Sequence, residues 1–210
     1  MYDLEEQEQI DALKAWWKDN GRLIGIVVVA AAVAASGTAL WRWHQRTQAE
    51  QAGQVYSVLE KAARANDSKQ VRELAVQIMD KYGSTAYGPM AALVAAKASH
   101  DAGDDKSSEA QLRWAVDHAR DDDLEATARV RLAGTLLDEK RYDEALKVLD
   151  AKHPDAFDGL FADMRGDILV AQGKGKEAKA AYTQALEKLP PGGSYRDVVQ
   201  AKLDGVGGDK

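Results

Sequence analysis

From Leu23 to Trp41 the chain runs nineteen residues without a charged side chain. At a rise of 1.5 Å per residue such a stretch makes a helix of about 28 Å, close to the hydrocarbon thickness of a bilayer. A helix satisfies its own backbone hydrogen bonds, so lipid accepts it. The residues expected to face lipid are Leu23, Ile24, Ile26, Val27, Val28, Val29, Val33, Leu40 and Trp41. Trp16 and Trp17 precede the run while Trp41 and Trp43 close it, setting amphipathic rings near both interfaces. A core helix of a soluble domain is seldom apolar on every side. The pattern predicts one transmembrane helix over residues 23–43.

A cleaved signal peptide is the competing reading, and its start should be short and basic. Here the first 22 residues hold six acids against three bases. Ala32-Val33-Ala34 imitates a cleavage site, yet apolar residues continue past it to Trp41. An uncleaved signal anchor fits better. Lys14, Lys18 and Arg22 on one side balance Arg42, Arg46 and Lys61 on the other, so basic residues leave the orientation open. Within the N-terminal segment, residues 1–22, Ile10, Leu13 and Trp17 fall on one helical stripe. Such a stripe suits a membrane surface, a docking partner or a plain solvated helix.

Beyond the span Ala, Leu, Glu, Lys and Gln dominate and β-branched alternation is scarce, which favours helix. Ala75, Ala110, Ala145 and Ala178 recur at intervals of 35, 35 and 33 residues. Twelve residues before each stands another small residue: Ala63, Ala98, Ala133 and Gly166. Four residues after each stands a large one: Met79, Trp114, Leu149 and Tyr182. Turn-forming stretches separate the small pairs, at Asn66-Asp67-Ser68, Ala102-Gly103-Asp104-Asp105, Glu139-Lys140-Arg141 and Gly173-Lys174-Gly175. Two helices cross closely only where the contact residues are small, and a bulky residue one turn on fills the space beside them. These are the mechanics of a tetratricopeptide repeat.

The expected fold is all-α: a single transmembrane helix followed by a tetratricopeptide-like helical-repeat solenoid of about four helix pairs over residues 44–193. Pro190-Pro191-Gly192-Gly193 stops the last repeat helix. Ser194 and Asp197 then open a capping helix over residues 194–204, the element a stack needs to cover its final apolar face. Residues 205–210 form a tail expected to be disordered.

Several kinds of chemistry are unsupported. The chain has no Cys, hence no disulfide framework, thiolate metal site or Cys nucleophile. Its 34 acids against 28 bases, net −6, do not suit a nucleic-acid partner. His44, His100, His118 and His153 show no metal-ligand spacing. Gly173-Lys174-Gly175-Lys176 lacks the order of a phosphate loop. Asp121-Asp122-Asp123 lacks the Gly and Glu of a calcium loop. The reading is a non-enzymatic protein without cofactor or metal. Stacked helix pairs present a curved surface suited to proteins or peptides. Tyr87, Met90, Leu93 and Val94, large apolar residues on an Ala-rich helix, are the candidate partner surface, with packing between units as the competing role.

The chain also resembles the YfgM-type family of inner-membrane proteins, ancillary subunits of the SecYEG translocon. The resemblance rests on the acidic N-terminus ending Trp16-Trp17-Lys18-Asp19-Asn20-Gly21, the single span and the weak repeats. It rests also on Tyr87-Gly88-Pro89-Met90-Ala91-Ala92-Leu93, Arg131-Leu132-Ala133, Ala145-Leu146-Lys147-Val148-Leu149-Asp150 and Ala162-Asp163-Met164-Arg165-Gly166. It implies a single-pass protein of the bacterial inner membrane with a cytoplasmic N-terminus and a periplasmic repeat domain. It further implies association with SecYEG and a PpiD-type periplasmic chaperone, with unfolded exported chains as clients. A cytoplasmic stress-response regulator would meet the N-terminal segment. A repeat scaffold for another cell-envelope assembly complex is the alternative.

Overall fold

The computed structural model describes residues 2–206, with side chains from residue 8 onward. The chain divides into two compact units, residues 1–47 and 48–210. Helix α1 (Tyr2–Arg64) supplies the first unit and the opening of the second. In the first unit Leu23, Ile26, Val27, Val28, Val29, Val33, Leu40 and Trp41 are all exposed, and Ile24 is half-buried. An 18-residue stretch of this helix has a mean hydropathy of 2.3 with none of it buried. At about 25 cal/mol per Å² of apolar surface, leaving that run in water is costly, and lipid is the solvent that removes the cost.

The second unit is built from four helix pairs and a closing helix. The residues of α1 from Gln48 pair with α2 (Ser68–Tyr82). Then come α3 (Tyr87–Asp101) with α4 (Asp105–His118), and α5 (Asp122–Asp138) with α6 (Tyr142–Leu149). The fourth pair is α7 (Asp158–Ala171) with α8 (Gly175–Lys188), and α9 (Ser194–Val206) packs on α8. Across pairs α3 touches α5 and α5 touches α7, so the first helices lie side by side. No strand occurs among the described residues.

One local device makes every hairpin. Asn66, Gly103, Lys140 and Gly173 each take positive φ, between 56° and 76°. Behind each, the next backbone N–H reaches back five residues: Asp67 to Ala62, Asp104 to Ser99, Arg141 to Leu136 and Lys174 to Leu169, at 2.8–3.0 Å. This closes the first helix in a Schellman motif and turns the chain. Asp67 and Asp104 then cap the second helix of their pairs by accepting from the N–H of Gln70 (3.0 Å) and Ser107 (3.1 Å).

Aligned on these four residues, the repeat has a single packing register. Seven residues earlier lie Leu59, Ala96, Ala133 and Gly166; five later lie Val71, Ser108, Ala145 and Ala178; nine later lie Ala75, Leu112, Leu149 and Tyr182. All twelve are buried. Ala133 with Ala145 and Gly166 with Ala178 occupy these positions in the third and fourth pairs, while in the first two other residues do. Ala110 is exposed and Ser108 takes its place; Ala63 and Ala98 are only half-buried, and Leu59 and Ala96 make the contacts instead. Ala75 is buried, but in the position that Tyr182 fills in the last pair. The sizes are therefore exchanged: the first pair puts its large residue on the first helix and the last pair puts it on the second. Either arrangement fills the crossing, so a rule that fixes which partner is small slips register in an Ala-rich chain.

The last pair is closed by a buried polar network. Asp163, 1% exposed, accepts from Tyr195 Oη at 2.5 Å and from Lys202 Nζ at 2.9 Å. Lys202 also reaches Asp167 at 2.7 Å, and Asp167 accepts from Tyr182 Oη at 2.8 Å. Arg196 donates to the Leu186 and Leu189 carbonyls at the end of α8. The closing helix runs two residues past the expected 204, with Gly205 and Val206 inside it. The rest of the expected tail, residues 207–210, lies outside the described residues.

Candidate protein-binding site

Turning the chain at Asn66, Gly103 and Lys140 sets one ridge of each first helix on a common face. On α3 the ridge is Val94, Lys97, Ala98 and Asp101; on α5 it is Arg131, Gly134, Thr135 and Asp138. Both follow the i, i+3, i+4, i+7 spacing of one helical face. Two cavities of about 390 and 560 Å³ open there, and both are lined by Leu93, Lys97, Asp101 and Arg131. One extends toward Ala63 and Asn66 at the end of α1, the other toward Gly134 and Asp138 on α5. Together they form a groove within the repeat unit with a floor of small and apolar residues and charged rims.

Beneath the groove Ser99, fully buried, donates to Gln111 Oε1 at 3.1 Å, and in its lining Thr135 donates to the Arg131 carbonyl at 3.3 Å. On the rim Lys97 pairs with Asp101 at 2.8 Å, and His100 meets Asp105 at 3.0 Å. Arg131 and Asp138 are exposed, and among the described residues neither has an oppositely charged partner within 4.0 Å. Such a surface offers apolar contact together with one cation and one carboxylate that remain available. Among the described residues no group of His, Asp and Glu is placed to hold a metal ion.

The four residues marked from sequence divide between two roles. Tyr87 packs on Tyr56 with ring centroids 5.4 Å apart, and both Tyr87 and Val94 lie against the cluster of Leu59, Ile78 and Ala91. Burial, then the Glu60 carboxylate, pushes the Tyr56 hydroxyl pKa up, so that ring stays neutral in the contact. Leu93, 6% exposed, belongs to the core shared with Leu112 and Leu132, and only its edge reaches the groove with Val94. Met90 is half-buried and does not line it. Lys97, Arg131, Gly134 and Asp138 were missed from sequence, although a glycine inside a helical pattern with charges one turn either side is the signal that marks α5.

Comparison with known proteins agrees with this architecture. Residues 14–208 match the family described as tetratricopeptide repeat-like domain. The chain is 31% identical over 204 residues to the ancillary SecYEG translocon subunit of Neisseria gonorrhoeae, covering 97% of this chain and 98% of that one. It is 29% identical over 202 residues to the protein of that name in Haemophilus influenzae, covering 96% and 97%. With the Escherichia coli protein of that name it shares 27% over 202 residues, covering 96% of each. The long apolar run within the N-terminal helix and these relatives fit a single-pass inner-membrane protein. On matches that run through the apolar N-terminal stretch and all four helix pairs, the chain belongs to the family of ancillary SecYEG translocon subunits built on a tetratricopeptide repeat-like domain.

Proposed function

We propose that this protein is a membrane-anchored, non-enzymatic binding subunit that works beside the SecYEG translocon. The observation that carries this reading is the full-length similarity to ancillary translocon subunits, joined to an N-terminal helix long and apolar enough to cross a membrane. In this reading the N-terminal segment is cytoplasmic and the repeat domain is periplasmic, where the groove meets exported chains and a PpiD-type chaperone. The N-terminal segment is then free to meet a cytoplasmic stress-response regulator. The groove supports a binding role because it presents apolar contact and charge over a shallow, extended surface.

Affinity isolation of the full chain from membranes in mild detergent tests the reading. Recovery of SecYEG together with a PpiD-type chaperone is the expected result. Recovery of a different envelope complex would favour a general scaffold instead, and recovery of neither partner would overturn the assignment.

A further inference from the structure

We infer that the groove over α3 and α5 takes an extended, internal peptide segment carrying an acidic and a basic residue about three positions apart, with small residues between them. The inference rests on the binding role proposed above and names the chemistry of the occupant. Its first support is the charge left over. Lys97 is neutralised by Asp101 at 2.8 Å, but Arg131 and Asp138 stand in the same groove without partners among the described residues.

The two unpartnered groups stand seven residues apart on α5. At 1.5 Å per residue their separation is about 10 Å along the helix. An extended chain in the polyproline II conformation advances about 3.1 Å per residue with three residues per turn, so side chains three positions apart leave the same face and span about 9 Å. A carboxylate placed on Arg131 then sets a cation at Asp138. Guanidinium–carboxylate pairing is directional and stronger than a neutral hydrogen bond, so it fixes the segment's register.

The second support is Gly134, midway between the two charges. Glycine inside a helix costs about 1 kcal/mol relative to alanine. Packing within the chain does not require it, because an added Cβ would meet only Met164 Cε, at 3.6 Å, an ordinary contact. At Gly166, by contrast, an added Cβ would strike the Tyr182 ring. A bare helix surface at the bottom of a groove lets another backbone approach closely. The groove also continues beyond the charged pair, toward Ala63 and Asn66 at the end of α1, which suits a segment that runs on past this site.

The test uses the full chain in detergent micelles and fluorescence anisotropy. The probe is a labelled peptide of about ten Ser, Ala and Val residues with one Asp and, about three places on, one Lys. The comparison peptide carries Asn and Gln instead. The charged peptide is expected to bind about tenfold more tightly. Arg131→Gln and Asp138→Asn should each remove most of that preference, and Arg131→Lys should keep part of it. Gly134→Ala should raise the melting temperature while weakening binding several-fold, a combination that a folding defect cannot produce. Equal affinity for the two peptides, no binding of either, or unchanged affinity in Arg131→Gln would overturn the inference. Isolation of SecYEG with the unsubstituted chain, run in parallel, separates the readings: its failure would strike the proposed function, whereas unselective peptide binding with SecYEG recovered would strike the groove assignment alone.

Discussion

The Tyr182 ring lies where a side chain on Gly166 would have to go, so the crossing of α7 and α8 depends on that one missing Cβ. Tyr182 is 2% exposed and its hydroxyl is held by Asp167 at 2.8 Å, leaving the ring no room to retreat. Gly166→Ala should therefore destabilise the repeat domain by about 1–3 kcal/mol, the usual cost of overpacking, despite alanine's better helix propensity. Urea unfolding of the full chain in detergent measures this. Unchanged stability would mean that the two helices slide apart freely.

Lys202 holds α9 to α7 across 39 residues of sequence, bridging Asp163 and Asp167. Burial alone would lower the lysine's pKa, but the carboxylates of Asp167 and Asp163 outweigh it and raise it. Burial, followed by the Asp167 and Asp163 carboxylates respectively, pushes the Tyr182 and Tyr195 hydroxyls up as well. A raised folded-state pKa gives stability that is complete below the unfolded value, here 10.0 for tyrosine and 10.5 for lysine, and that disappears as pH climbs through the folded value. Hydrogen exchange over residues 194–206 should accelerate selectively above about pH 10. Lys202→Met, which leaves Asp163 buried without its cation, should cost about 2 kcal/mol at neutral pH.

Lys140 turns the third hairpin at φ 62°, where glycine serves in the second and fourth. A side chain in the left-handed region costs about 1 kcal/mol. Lys140→Gly should recover most of that and raise the melting temperature, although glycine's freedom in the unfolded chain offsets part of the gain. A fall in melting temperature would show that the lysine side chain contributes more than its backbone costs.

Glu109 ties the second pair to the third by accepting from Arg141 Nη1 and Arg113 Nε, each at 2.7 Å. Burial pushes its carboxyl pKa up, but the two guanidiniums prevail and hold it below the ordinary value of 4.5. A depressed carboxylate contributes stability above its unfolded pKa and loses it as pH falls through the folded one. The melting temperature should drop below about pH 4.5, and less steeply in Glu109→Gln than in the unsubstituted chain. Identical acid limbs in the two proteins would remove Glu109 from the account.

What the sequence revealed divides along physical lines. The uncharged run from Leu23 to Trp41 was legible because lipid imposes a length and a polarity on consecutive residues. The hairpins at Asn66, Gly103, Lys140 and Gly173 were legible because turn chemistry is local. The register of the first two pairs was not, since packing asks only that the summed sizes at a crossing fit, and Leu59 with Ala75 satisfies that as well as Gly166 with Tyr182. The pairing of Asp163 with Lys202 joins residues distant in the chain, and no spacing rule announces it. The same holds for the groove, where Lys97 is spoken for by Asp101 and Arg131 is not, a distinction that side-chain geometry alone reveals.

The most direct test of the account places a photoactivatable side chain at Val94, on the groove, and in a second protein at Thr183, an exposed position on α8. Irradiation of membranes engaged in export should give adducts to exported chains or their chaperone from Val94 and none from Thr183. Equal labelling from both positions, or labelling from Thr183 alone, would contradict a groove-borne binding function.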